Sequence, residues 1–267
     1  MLAKELKDRV WRAMPESDIK RYCIIACHVM WRELSFYAAQ SRHIYDFRYL
    51  EQGLHNTPEL LRQELQKAID ECDGQYDALL IGYGLCSNGI QGIMARTTPL
   101  VVMRAHDCIT FFLGSKERYR EYFDSHPGTY WYTPGWIDDN PMPCEARYRA
   151  VLKTYIDLYG EESAQYLLEA TENWMTSYSN AAYVDLGVGS SEPYREFTRR
   201  AAEWLKWNCD FLDGDARLLK AFLSGEWDAE DFLVVPPGEE IVPSYDERVI
   251  ESRPPTPSPE SREPGSS

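Results

Sequence analysis

The chain of 267 residues is short of several features that would each have named a class of protein. No apolar run approaches the roughly 18 to 20 residues that a membrane-spanning helix requires. The first twenty residues carry alternating charges where a signal peptide would carry an apolar stretch, so the chain is expected to stay in the cytoplasm, off the membrane. Positive charge is scarce: 28 Lys and Arg stand against 43 Asp and Glu, a formal net charge of -15. A field of that sign repels phosphate backbones and anionic lipid heads, which argues against nucleic acid as a partner. No Gly-x-Ser-x-Gly elbow, Ser-His-Asp spacing or Gly-Lys-Ser/Thr phosphate loop occurs, so serine hydrolase and P-loop chemistry have no sequence support.

What is present suits a single domain of enzyme size. With 44% hydrophobic and 13% aromatic residues the chain can bury a large core. Seven cysteines without a secretion signal point to reduced thiols, metal ligands or catalysis rather than a disulfide framework. Cys23, Cys72, Cys144 and Cys209 sit in ordinary contexts. The other three each close a hydrophobic run.

Four runs read as strands: Tyr22 to Cys27, Ile44 to Leu50, Ala78 to Ile81, and Leu100 to Met103. Helical patterns separate them. Val29, Met30, Glu33 and Leu34 share one face, and Leu60, Leu61, Leu65, Ala68 and Ile69 form another stripe after a Thr57-Pro58 start. This β-α alternation predicts an open, mostly parallel, Rossmann-like α/β sheet. Residues 117–139 are rich in tyrosine and tryptophan between Pro-Gly turns and read as a covering loop, with the segment 128–136 expected over the mouth of the site. A helical insert is expected at about residues 140–178, followed by strands near 181–186, 209–212 and 232–235. Residues 1–20 read as a separate N-terminal helix, residues 21–242 as the α/β domain, and residues 243–267, rich in Pro and Ser, as a disordered tail.

Ligands bind in the crevice outside the carboxyl ends of parallel strands. Cys27, His55, Cys86, His106 and Cys108 all follow strand ends, so they are candidates to converge. Thiolate and imidazole hold zinc, iron or iron–sulfur clusters, so the metal ligands expected are Cys27, Cys86, Cys108 and His55. If the strand continues, His106 and Cys108 point to one side, about 6 to 7 Å apart. His106 and Asp107 are then the proton-moving groups, and Arg104 an anchor for an anionic small substrate. Gly82, Gly84 and Gly89 would let the backbone approach a cofactor, because glycine has no Cβ in the way. A further glycine-rich turn, Asp185 to Ser191, reads first as an ordinary strand-to-helix turn with a serine cap and second as an anion site on the free N–H groups of the helix, and Asp213-Gly-Asp215 reads as a helix cap ahead of a metal or general-base carboxylate pair.

The segments Leu54 to Gln66, Gly82 to Gly89, Arg104 to Thr110, Leu113-Gly-Ser115 and Pro127 to Trp136 together resemble the marker segments of a bacterial and archaeal family of unknown function. The resemblance runs from about Cys23 to Pro237. It implies no fixed reaction, but some members accompany corrinoid-dependent methyl-transfer systems, which implies one-carbon metabolism and a corrinoid protein or methyltransferase as partner. The expected function is a metal-binding enzyme, zinc or iron–sulfur, acting on a small molecule. The alternative is a non-catalytic metal- or corrinoid-handling partner of a methyltransferase. No Asp-x-His-x-x-Gly string supports direct corrinoid capture.

Overall fold

The computed structural model describes residues 18–255, so most of the expected N-terminal helix and the end of the expected tail lie outside the described residues. The four anticipated runs form Arg21–Cys27 (β1), Ile44–Leu50 (β2), Ala78–Gly82 (β3) and Leu100–Met103 (β4). They pair in parallel in the order β2-β1-β3-β4, and Phe232–Val235 (β8) adds antiparallel to β4. β3 and β4 are buried along their whole length and β1 nearly so, the continuous Val/Ile/Leu pattern of a parallel sheet covered on both faces. Each fully buried Ile or Leu there contributes about 1.5–3 kcal/mol of transfer free energy. β2, at the edge, alternates between exposed and half-buried positions.

Trp31–Ala38 (α1) follows β1 after one turn of 3-10 helix, and Pro58–Cys72 (α2) follows β2. Pro58 opens α2 at a position that needs no N–H donor, and Leu61, Leu65, Ala68 and Ile69 seat it on the sheet. The order β2-β1-β3 means that the chain leaves β1 on one side and returns across it. The connections therefore diverge between β1 and β3, which makes that gap the topological switch point of the sheet.

A second parallel sheet has the order β5-β6-β7, from Thr129–Tyr132, Asn180–Asp185 and Asn208–Asp213. Ile109–Leu113 (α3) and Lys116–Ser125 (α4) lead into it. Pro134–Asp139 (α5), Glu145–Tyr159 (α6) and Glu161–Glu172 (α7) connect β5 to β6, and they hold the helices of the anticipated insert. Glu192–Leu205 (α8) joins β6 to β7, and Arg217–Ser224 (α9) returns the chain to β8. The fold is thus α/β, with an open, mostly parallel Rossmann-like sheet. Among the described residues no helix is long and apolar enough to cross a membrane.

Two expectations need correction. The aromatic stretch 117–139 is not a loop: it is α4, β5 and α5, and Trp131 and Tyr132 are core residues at 7% and 0% exposure. The chain beyond residue 242 does not dissolve at once, because Glu240–Pro243 (β9) and Ile250–Arg253 (β10) form an antiparallel hairpin. Its Ile241, Val242, Val249 and Ile250 are buried, which gives this stretch the apolar anchor that composition alone hid.

The two sheets share one core. Trp131, Ala182 and Val184 of the second sheet belong to the same buried cluster as β1, β3 and β4. At the carboxyl end of β1 the contact is backbone on backbone: a Cβ on Gly135 would lie 1.8 Å from the carbonyl oxygen of Val29. Only glycine lets α5 settle there.

Candidate functional site

Three thiols lie at or beyond the ends of neighbouring strands on either side of the switch point between β1 and β3. Cys27 is the last residue of β1. Beyond β3 the chain continues through Tyr83, Gly84 and Leu85 to Cys86, held to the extension of β4 by Leu85 N–H to Ala105 carbonyl (2.8 Å) and Cys86 N–H to His106 carbonyl (2.9 Å). The glycines expected to admit a cofactor are spent on the chain itself. A Cβ on Gly82 would lie 2.5 Å from Ala26 Cβ, on Gly84 2.7 Å from the amide nitrogen of Asp107, and on Gly89 2.6 Å from Leu61 Cδ2. Their role is to draw β3 and the Cys86 turn against β1, β4 and α2.

Cys86, Ser87 and Asn88 all take positive φ, at 45, 55 and 66°. The Gly89 N–H closes this turn on the Cys86 carbonyl at 3.0 Å. For residues with a Cβ the left-handed region costs about 1–2 kcal/mol each, and such strain concentrates at functional sites. Here it reverses the chain at the cysteine that follows β3.

Cys27, Cys86 and Cys108 are within electrostatic reach of one another and of the Tyr83 phenol. Burial pushes the Cys27 thiol up to about 11 and the Cys86 thiol up to about 12, and lifts Cys108 well above the ordinary thiol range. All three are neutral at pH 7, and buried neutral thiols are poor nucleophiles. Tyr83 is 2% exposed, and among the described residues the Cys27 thiol is the group beside its hydroxyl, which makes no hydrogen bond of ordinary geometry. A buried polar group left without a partner costs about 1–3 kcal/mol and calls for an explanation. Asp107 borders the same crevice. Its Oδ2 accepts from the Tyr119 hydroxyl at 2.7 Å and its Oδ1 from the Ile109 N–H at 3.0 Å, while burial raises its carboxyl above the usual range.

The remaining candidates are placed differently. β4 ends at Met103, and the chain bends before α3, so His106 and Cys108 do not share a strand face. Cys108 is buried at the start of α3; His106 is exposed and lines a cavity of about 360 Å³ with Thr110, Lys116, Tyr119, Arg120 and Val249. His55 lines another cavity, of about 560 Å³, walled by Tyr130, Trp131, Trp136, Arg147 and Trp174, where burial lowers its pKa and keeps the imidazole neutral. Arg104 is no free anchor: its guanidinium donates to the carbonyls of Ala229, Phe232, Arg248 and Ile250, pinning β8 and the β9–β10 hairpin. Among the described residues no three His, Cys, Asp or Glu side chains are arranged to hold a metal ion.

Sequence reading missed Tyr83 and Tyr119. Tyr83 lies inside the Gly82-Tyr-Gly84 pair, where a bulky aromatic between two glycines was the available signal. In Asp213-Gly-Asp215 the Asp215 Oδ1 accepts from the Arg217 N–H at 2.9 Å, one residue ahead of Ala216, the N-cap position of α9, which has no side-chain cap of its own.

A family model described as protein of unknown function (DUF1638) matches residues 49–223. No curated protein and no solved structure matches the chain.

Proposed function

Given that the chain belongs to the DUF1638 family of proteins of unknown function, we propose that it is a metal-binding protein whose Cys27, Cys86 and Cys108 thiols hold zinc or an iron–sulfur cluster. A small-molecule substrate would bind at that centre. The observation that carries this reading is that Cys27, Cys86 and Cys108 all act on the one buried phenol of Tyr83 beside the switch point. Cys86, Cys108 and Tyr83 lie within the stretch matched by the family model, and Cys27 precedes it.

The electrostatics support a metal over a bare thiol nucleophile. Among the described residues no cation stands among the groups that act on the three thiols, and burial raises all of them. A bound metal supplies the missing positive charge and deprotonates the thiols that coordinate it. Both nearby histidines turn to other cavities, so the donor set is sulfur alone, which suits zinc or an iron–sulfur cluster. The thiols are not already arranged as a cage, so binding requires their side chains to turn toward a common point. Asp107, raised by burial and bonded to Tyr119, would give or take a proton beside it.

Anaerobic purification with elemental analysis tests the reading. Wild-type protein should retain metal, Cys108→Ser should lose at least tenfold of it, and Cys72→Ser should keep the wild-type content. Cys72 is a fair control because it is equally buried but packs against Cys23, with their sulfurs 3.5 Å apart. Equal metal content in all three proteins, or none in any, overturns the assignment.

A further inference from the structure

The carboxyl end of β6, in the second sheet, holds a different set of unpartnered groups. Glu33 of α1 is 1% exposed, and its Oε2 has no hydrogen-bond partner. Asp185, the last residue of β6, bonds through Oδ1 to the Gly187 N–H at 2.8 Å, while its buried Oδ2 has no partner. Tyr183 lies two residues earlier on the same strand face, is 0% exposed, and its hydroxyl is also without a partner. Among the described residues three buried oxygens from two elements thus lack a hydrogen bond of ordinary geometry in one neighbourhood, where the Tyr183 hydroxyl lies beside the Asp185 carboxylate and the Asp185 charge also acts on Glu33.

The nearby cations are engaged elsewhere. Arg32 donates to Asp138 at 2.6 Å and to the Tyr194 hydroxyl at 3.1 Å. Arg195 lies over the rings of Tyr183 and Phe211, 5.8 and 4.7 Å from their centroids. Neither guanidinium is hydrogen-bonded to Glu33 or Asp185. Glu33 is buried and Asp185 half-buried, each with one free carboxylate oxygen, and Arg32, the cation that acts on Glu33, spends its hydrogen bonds on Asp138 and Tyr194, so the gap between the two carboxylates favours donors and positive charge. That polarity opposes the anion expected at the Asp185 to Ser191 turn, where the carboxylates would repel it.

We propose that the carboxyl end of β6 is a cation site, in which Glu33 Oε2 and Asp185 Oδ2 hold a small positive group beside the Tyr183 hydroxyl. The group is a hydrated divalent metal ion or an ammonium. Two protein carboxylates with water completing the shell is the way Mg²⁺ is commonly bound, and it needs no cluster of three acidic ligands. The flanks also favour a ligand position: Gly214 presses on the Asp185 carbonyl, with its would-be Cβ 2.3 Å away, and so fixes the strand end that carries the carboxylate.

The test is thermal unfolding of the full chain at pH 8 in MgCl₂, in ethylammonium chloride and in KCl, all at equal ionic strength. One of the first two should raise the midpoint by about 3 °C or more above KCl, with saturation. The salt that does so identifies the source: Mg²⁺ a metal site, ethylammonium an amine site. Glu33→Gln and Asp185→Asn should each lose that shift, and Glu33→Gln should unfold in KCl no earlier than wild type because it removes a buried unpaired charge. The proposal is overturned if neither salt exceeds KCl, or if both variants retain the full shift. Neither probe is a soft metal, so the outcome is independent of the thiol centre.

Discussion

The carboxyl ends of the two parallel sheets are built alike and filled differently. Each carries a buried tyrosine whose hydroxyl has no partner, Tyr83 beyond β3 and Tyr183 within β6. Around Tyr83 the chain places three neutral thiols; around Tyr183 it places two carboxylates with free oxygens. The backbone solution is shared, since both strand ends are packed by glycines whose hydrogens face protein atoms at distances no Cβ tolerates. The difference is donor softness. Sulfur selects zinc and iron–sulfur clusters, whereas carboxylate oxygen suits hard cations and ammonium groups. One fold therefore carries sulfur donors at one end and carboxylate oxygens at the other, joined through a common core.

That comparison breaks most severely at the joint. Gly135→Ala would place a methyl 1.8 Å from the Val29 carbonyl, backbone against backbone. A loss of about 3 kcal/mol or more is expected in urea unfolding, because neither α5 nor the end of β1 can give way without undocking the sheets. A tolerated alanine would show that the two ends are not rigidly joined.

The pH dependence separates the two ends next. Burial raises Glu33 to about 7 from an ordinary 4.5. Between those values the folded protein keeps a proton that the unfolded chain has released, so this contribution is fully present below pH 4.5 and is lost as pH rises to 7. The shift corresponds to about 3 kcal/mol. In cation-free buffer wild-type stability should fall by an amount of that order across this window relative to Glu33→Gln. An unchanged difference between the two proteins would remove Glu33 from the account. The thiols do not contribute there, as their shifts lie in the alkaline range, and the raised Asp107 carboxyl at their end is common to both proteins and cancels in the difference.

The smallest expected effect is a gain. Ser87→Gly relieves a non-glycine residue at φ 55° in the Cys86 turn, and should stabilise the protein by about 1 kcal/mol. If metal retention falls at the same time, the strained turn holds Cys86 in place; if it does not, the strain serves only the reversal of the chain.

The first sheet was legible in the sequence because its strands are continuous apolar runs separated by striped helices, and periodicity reports such elements directly. The carboxyl-end rule put Cys27, Cys86 and Cys108 at or beyond the ends of β1, β3 and β4, and the chain carries them there. β5 was hidden because four residues, Thr129–Tyr132, between Pro-Gly turns carry the aromatic composition of a loop, and only pairing with β6 makes them a strand. His106 was misplaced because β4 stops three residues short of it, and strand ends are set by tertiary contacts, not by hydropathy. Arg104 looked like a substrate anchor because nothing local shows that distant carbonyls at residues 229, 232, 248 and 250 take up its donors. Glu33 did leave a trace, since it occupies the same helical stripe as Val29, Met30 and Leu34, where a carboxylate has no reason to be unless something meets it.

The central claim is that the sheet's switch point holds a soft metal on sulfur. X-ray absorption at the zinc and iron edges of anaerobically purified wild-type protein tests it directly. The account predicts a metal whose nearest shell is sulfur at about 2.3 Å, with that shell lost in Cys108→Ser. A metal-free protein, or a shell of nitrogen and oxygen alone, would contradict it.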